Sequence, residues 1–202
     1  MAYSDELCKL VIANIEIIEE APSVVLDVDA TILNAINERI RDRIDALDGW
    51  DGVYSLGNEN EDGKTVFRAP QWPLDDAGAC LAWYELWLTS ETEYWTTPAI
   101  GAKSSRLCFR FNSEKEFHGK NKKAIKAYYK VALFDNQELS KAGVIVLEDG
   151  TLAIPFNFDP NKVVEEYPDL DDCLKPLDDA FDKLIQVHPV FDKLVKELNA
   201  NK

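Results

Sequence analysis

Apolar residues return at helical spacing at the start of the chain. Leu7, Val11, Ile15 and Ile18 follow Ser4-Asp5-Glu6, a good helix start, and predict a first helix that ends at Ala21-Pro22. Val24-Val25-Leu26 is too short to classify. Ile32 or Leu33, then Ile36, Ile40, Ile44 and Leu47 form a second stripe, with Glu38, Arg39, Arg41 and Asp42 outside it. It predicts a helix capped by Asp29 and ending near Asp48-Gly49. Together the two read as an α-hairpin over residues 1–49.

From Trp50 the period changes to short apolar runs broken by Asp51-Gly52, Asn58 to Gly63, Pro70 and Pro73. Lys64 to Arg68, Cys80 to Leu88, Glu93 to Thr97 and Arg106 to Phe111 are the strand candidates. In the last, Leu107, Phe109 and Phe111 face one way and Arg106, Cys108 and Arg110 the other. Trp83 and Trp87 share a face with Leu81 and Glu85; the alternation allows them to be buried while Tyr84 projects from the opposite side. Asn121 to Leu133 predicts a basic amphipathic helix with Lys122, Lys123, Lys126 and Lys130 outward. Gly143 to Leu147, Glu148-Asp149-Gly150 and Thr151 to Phe156 predict a hairpin, because Asp-Gly supplies the positive φ of a tight turn. Asp159-Pro160 opens a helical C-terminus expected to break at Pro168, Pro176 and Pro189.

Strands grouped with strands favour an α+β fold: an antiparallel sheet, meander plus C-terminal hairpin, covered by N-terminal and C-terminal helices. The chain is read as a single domain, 1–202. Residues 1–49 form the helical hairpin, 50–158 are mainly β with one basic helix, and 159–202 form the helical C-terminus.

Composition narrows the class. With 202 residues, 46% hydrophobic, a disordered chain is excluded, and no apolar run approaches the roughly 20 residues of a membrane span. The N-terminus lacks the pattern of a signal peptide, so a cytoplasmic location is expected. Cys8, Cys80, Cys108 and Cys173 are scattered, and His118 and His188 complete no zinc spacing; reduced thiols and no metal or cofactor are expected. The net charge of -15 is polarised. Residues 1–100 carry twenty acidic against six basic side chains, whereas between Lys103 and Lys130 nine basic residues face only Glu114 and Glu116. Such a surface repels nucleic acid at long range and attracts basic partners.

Val24-Val25-Leu26-Asp27-Val28-Asp29-Ala30-Thr31 resembles the first motif of haloacid dehalogenase-like phosphotransferases. The resemblance implies an aspartyl-phosphate nucleophile at Asp27, a general acid/base at Asp29 and a Mg²⁺ held by both. Leu86 to Thr89, Lys120 or Lys126 and Glu148-Asp149 can follow in the family's order, but only the first motif is specific. That family's fold is a parallel α/β sheet, against which the meander pattern argues, so Asp29 is read here as a helix cap. No G-x-S-x-G, H-E-x-x-H, P-loop or G-x-G-x-x-G occurs. His118, ten residues after Cys108, lacks an orienting group, and His188 before Pro189 reads as a turn residue.

The expected function is that of a non-enzymatic acidic interaction protein that binds and inhibits a basic, nucleic-acid-handling protein, as an inhibitor, immunity protein or nucleic-acid mimic. Asp42, Asp45, Asp48, Asp51, Glu59, Glu61 and Asp62 are the expected acidic contacts, and Tyr84 and Trp95 the aromatic ones. The alternatives are the Mg²⁺-dependent phosphohydrolase and a small-ligand module built on the Trp-rich sheet.

Overall fold

Period-two segments joined by short loops build one antiparallel sheet. A computed structural model describes residues 4–57, 63–74, 78, 80–114 and 119–200, the side chain of Leu7 aside. Its strands are β1 (Asp51–Tyr54), β2 (Thr65–Arg68), β3 (Ala82–Leu88), β4 (Leu107–Ser113), β5 (Ile145–Val146) and β6 (Leu152–Phe156). Their order is β1-β2-β3-β4-β6-β5, with every neighbouring pair antiparallel. β1, which was not among the strand candidates, forms the edge of the meander. The C-terminal hairpin turns as expected: Gly150 has a φ of 96°, and the Asp149 carboxylate accepts from the Thr151 amide at 2.9 Å and hydroxyl at 2.7 Å.

The helices are α1 (Asp5–Ala13), α2 (Ile15–Asp45), α3 (Thr96–Ala99), α4 (Lys122–Asp135), α5 (Gln137–Lys141), α6 (Pro160–Glu166) and α7 (Lys175–Ala200). Asn121 caps α4 by accepting from the Ala124 amide, and Asp159 caps α6 by accepting from that of Asn161, each at 2.9 Å. The fold is α+β, with helices from both ends of the chain.

The expected N-terminal α-hairpin with its break at Pro22 does not form, and only Asn14 separates α1 from α2. α2 runs straight through Pro22, and Asp29 lies within it rather than at its start. Proline removes one backbone donor, but reversing a helix needs a loop, and Ala21-Pro22-Ser23-Val24 has no residue suited to positive φ. The first glycine after Pro22 is Gly49, at φ 73°, just beyond the end of α2. Pro189 likewise fails to interrupt α7, whereas Pro168 does follow the end of α6. Glu93 to Thr97, expected as a strand, leads instead into the short helix α3.

The sheet's inner face carries Phe67, Tyr84, Leu86, Phe109, Phe111 and Ile154, all buried with Ile36, Ile40 and Ile44 of α2 and Phe181, Leu184 and Phe191 of α7. Phe109 packs edge-on to Phe67 at 5.8 Å and to Phe181 at 5.9 Å. Each such side chain contributes about 1.5–3 kcal/mol through burial.

The expected orientation of β3 is reversed: Tyr84 is fully buried, while Trp83 and Trp87 lie half-buried on the outer face. Register supplies the reason. Tyr84 pairs with Phe111 and Leu86 with Phe109, so the larger apolar set claims that side, and Trp83, Glu85 and Trp87 fall opposite Asn112, Arg110 and Cys108.

Candidate partner interface

The second half of α2 is pinned by its isoleucines, which leaves its carboxylates on the surface. Asp42 and Asp45 lie in the last turn of α2, Asp48 in the turn beyond it and Asp51 at the start of β1; all four are exposed. Asp51 pairs with Arg68 at 2.7 Å. Asp42, Asp45 and Asp48 form no ion pair among the described residues. Glu59, Glu61 and Asp62 lie outside the described residues.

Arg41 stays beside these acids, its guanidinium 5.5 Å from the centre of the Tyr54 ring, whereas Arg39 and Arg43 are engaged elsewhere. Arg39 bonds Asp178 at 3.2 Å and also Asp171, while Arg43 reaches Asp178 at 3.4 Å and also Asp182. The Arg43 guanidinium stacks 4.8 Å from the centre of the Phe181 ring. These bonds tie α2 to α7. Between α2 and the segment that leads into α7 runs a groove of about 480 Å³ lined by Glu38, Asp42 and Asp171, with Arg39 and Arg43.

Helix electrostatics disfavour this placement of acids. The C-terminal end of a helix carries partial negative charge, and an exposed anion there costs roughly 0.3–1 kcal/mol. Asp42 and Asp45 accept that cost with Arg43 as the only basic residue in the final turn. Burial first, and then the Asp45 carboxylate, push the neighbouring Tyr54 phenol up to about 12.

The aromatic candidates divide. The Tyr84 hydroxyl lies 2.9 Å from His188 Nδ1, inside the protein, and is not a surface anchor. His188, read from sequence as a turn residue, sits within α7 near Trp50 and Trp72, with ring centres at 4.8 and 5.3 Å. Asp192, one turn along, accepts from the Trp72 indole at 2.6 Å and from Gln71 at 2.9 and 2.8 Å. This Tyr84–His188–Asp192 arrangement holds α7 on β3 and the segment around Trp72. Burial lowers the pKa of His188, with Asp192 opposing. Trp95 is half-buried against the core.

Asp29 has a structural task that its helix-cap reading half anticipated: it caps another helix. Its carboxylate accepts from the Trp95 amide at 2.8 Å, the Thr96 amide at 2.6 Å and the Thr96 hydroxyl, at the start of α3. Asp27 is exposed on α2, and Val24 to Leu26 are helical, so the strand of the phosphotransferase motif is absent. Among the described residues no group of three or more His, Cys, Asp or Glu is placed to hold a metal ion. The four cysteines are free thiols, and Cys108 and Cys173 are buried.

The outer sheet face holds the polar group that sequence reasoning missed. Glu85 and Arg110 pair at 2.5 Å, each side chain only 12% exposed. Asn112 donates to the same carboxylate at 2.6 Å, Arg110 reaches Asp149 at 3.2 Å, and its guanidinium lies 4.0 Å from the centre of the Trp87 ring. Arg110 Nε is buried and has no hydrogen-bond partner among the described residues. Grooves of about 570 and 590 Å³ flank this row, one lined by Trp83, Glu85 and Arg68, the other by Trp87, Arg110 and Lys122. The alternation Trp-x-Glu-x-Trp against Cys-x-Arg was the available signal. Among the described residues no helix is long and apolar enough to cross a membrane.

Comparison with models of known families, with curated proteins and with solved structures gives no match.

Proposed function

We propose that this is a non-catalytic acidic binding protein that docks and inhibits a basic, nucleic-acid-handling protein through the carboxylates at the end of α2. One observation carries the reading: Asp42, Asp45 and Asp48 stand exposed at a helix end where they oppose the helix dipole and form no ion pair among the described residues, while Arg39 and Arg43 are committed to α7. A rigid row of anions presents charge without the ordering cost of a loop and steers a basic partner into contact. Such a row stands in for a phosphate track.

The test is capture from a lysate on the immobilised protein at low and high salt, beside the triple variant Asp42→Asn, Asp45→Asn, Asp48→Asn. The reading expects basic nucleic-acid-handling proteins that are retained at low salt, released as screening rises and depleted on the variant. A captured set indifferent to the three carboxylates overturns it.

A second reading, a small-ligand module on the Trp-rich sheet, is favoured by Arg110, which lines one groove together with Trp87 and whose Nε has no hydrogen-bond partner among the described residues. Tryptophan fluorescence titrated with planar anions, on the wild type and on Trp87→Phe, would reveal it.

A further inference from the structure

Two helical surfaces of this chain are exposed, apolar and opposite in charge. The first is the N-terminal arm, α1 with the start of α2. Among the described side chains of residues 4–20 only Asn14 is half-buried; the rest are exposed, including Leu10, Ile12, Ile15, Ile17 and Ile18, with Ile12 at 75%. Between Asp5 and Asp27 the arm carries six carboxylates against Lys9. Ile15, Glu19 and Leu26 share a helical face, with Glu16 beside them. The second surface is the outer side of α4. There Lys123, Ala127, Lys130, Val131 and Phe134 recur at helical spacing; all are exposed, Phe134 at 86%. Lys123 and Lys130 form no ion pair among the described residues.

Isolated apolar side chains at a surface are ordinary; an apolar arm and a matching apolar stripe are not. We propose that the protein forms a dimer by arm exchange, in which the arm of one copy lies along the outer face of α4 of a second copy. Charge complementarity selects the occupant. Pairing arm with arm would set two strongly acidic helices together, whereas pairing arm with α4 in parallel places Glu16 near Lys123 and Glu19 near Lys130 and covers Leu26 with Val131 and Phe134.

The fold directs the contact to another copy. α2 packs beside β1 at one edge of the sheet, while α4 lies beside β5 at the other. Six strands at about 4.8 Å spacing separate those edges by roughly 24 Å. The arm, about 33 Å long over residues 5 to 26 at 1.5 Å per residue, spans the full length of α4, about 21 Å. Reciprocal exchange makes the contact twice, which raises the buried area toward the roughly 1,200–2,000 Å² of stable interfaces.

Light scattering behind size-exclusion chromatography, on the full chain at micromolar concentration and low salt, is expected to report twice the chain mass. Lys123→Glu with Lys130→Glu should return it to one mass, as should Glu16→Lys with Glu19→Lys, each with unchanged circular dichroism because all four positions are exposed. Mixing the two variants should restore the dimer, since each arm then meets an α4 of opposite sign. A monomeric wild type overturns the proposal, and so does a dimer that ignores Lys123 and Lys130 or a mixture that stays monomeric. A dimer lost with the arm changes but kept with the α4 changes points to arm–arm pairing and overturns it equally. Asp42, Asp45 and Asp48 take no part, so this outcome is independent of the capture experiment.

Discussion

The two halves of α2 carry the same kind of sequence and have opposite fates. From Ile32 to Ile44 the isoleucine stripe is buried, whereas Ile15 and Ile18, also at helical spacing, and Ile17 stand exposed. The difference lies outside the helix. Beneath the second half are β1, the inner sheet face and α7; beneath residues 15–20 the described residues offer nothing. Hydrophobic periodicity states which side of a helix is able to be buried, and the partner decides whether it is. Asp29 marks the border, where α2 first meets α3.

Breaking this contrast begins with its largest effect. Ile40→Ala should destabilise by about 2–5 kcal/mol through lost burial and an unfilled cavity, whereas Ile17→Ala should stay within about 0.5 kcal/mol in dilute solution. Urea denaturation of both variants gives the comparison, and equal losses would mean that the arm is packed.

At the border, Asp29→Ala should cost about 1–3 kcal/mol, because two backbone amides and a hydroxyl at α3 lose their acceptor. Asp27→Ala, two positions earlier and exposed, should cost little. Hydrogen exchange at Trp95 and Thr96 should quicken only in the first variant.

These same residues show where the sequence was legible. The Ile36-Ile40-Ile44 stripe, the Asp149-Gly150 turn and the alternation in β4 are local patterns, and each is present. Pro22 read as a stop because a missing donor looks like an end, yet nothing after it turns the chain. Asp29 had the chemistry of a cap, but the helix it caps begins 67 positions away from it in sequence. The face chosen by Tyr84 depended on its register with Phe111, which β3 alone does not encode. The exposure of Asp42, Asp45 and Asp48 was legible from polar position alone, because it is a local property. The Glu85–Arg110 pair required knowing which strands are neighbours.

α7 sharpens the contrast, since its proline sits in a packed helix where that of α2 does not. His188, just before Pro189, is largely but not fully covered by Trp50, Trp72 and Tyr84, so folding favours its neutral ring and lowers its pKa below 6.5. The unfolded chain therefore takes up the proton first. Stability should fall as pH drops through about 6.5 and level off below the folded pKa, with Asp192 moderating the loss. His188→Gln should flatten this part of the stability profile; an unchanged slope between neutral pH and the carboxylate range would assign the effect elsewhere.

The smallest effect is the most discriminating, because stability and binding should move in opposite directions. Asp45 lies in the last turn of α2, where its charge opposes the helix dipole and its only basic neighbour in that turn, Arg43, is held by Asp178 and Asp182. Asp45→Asn removes the charge and keeps the shape, so it should raise stability by roughly 0.3–1 kcal/mol at low ionic strength, and by less as salt screens the dipole. If the carboxylate serves a basic partner, the same variant should bind that partner more weakly, chiefly through a slower association that added salt mimics in the wild type. Asp5→Asn, near the start of α1, supplies the control: there a negative charge agrees with the dipole, and neutralising it should bring no gain. A variant at Asp45 that gains stability and binds as well as the wild type would leave the acid at the end of α2 without a role in recognition.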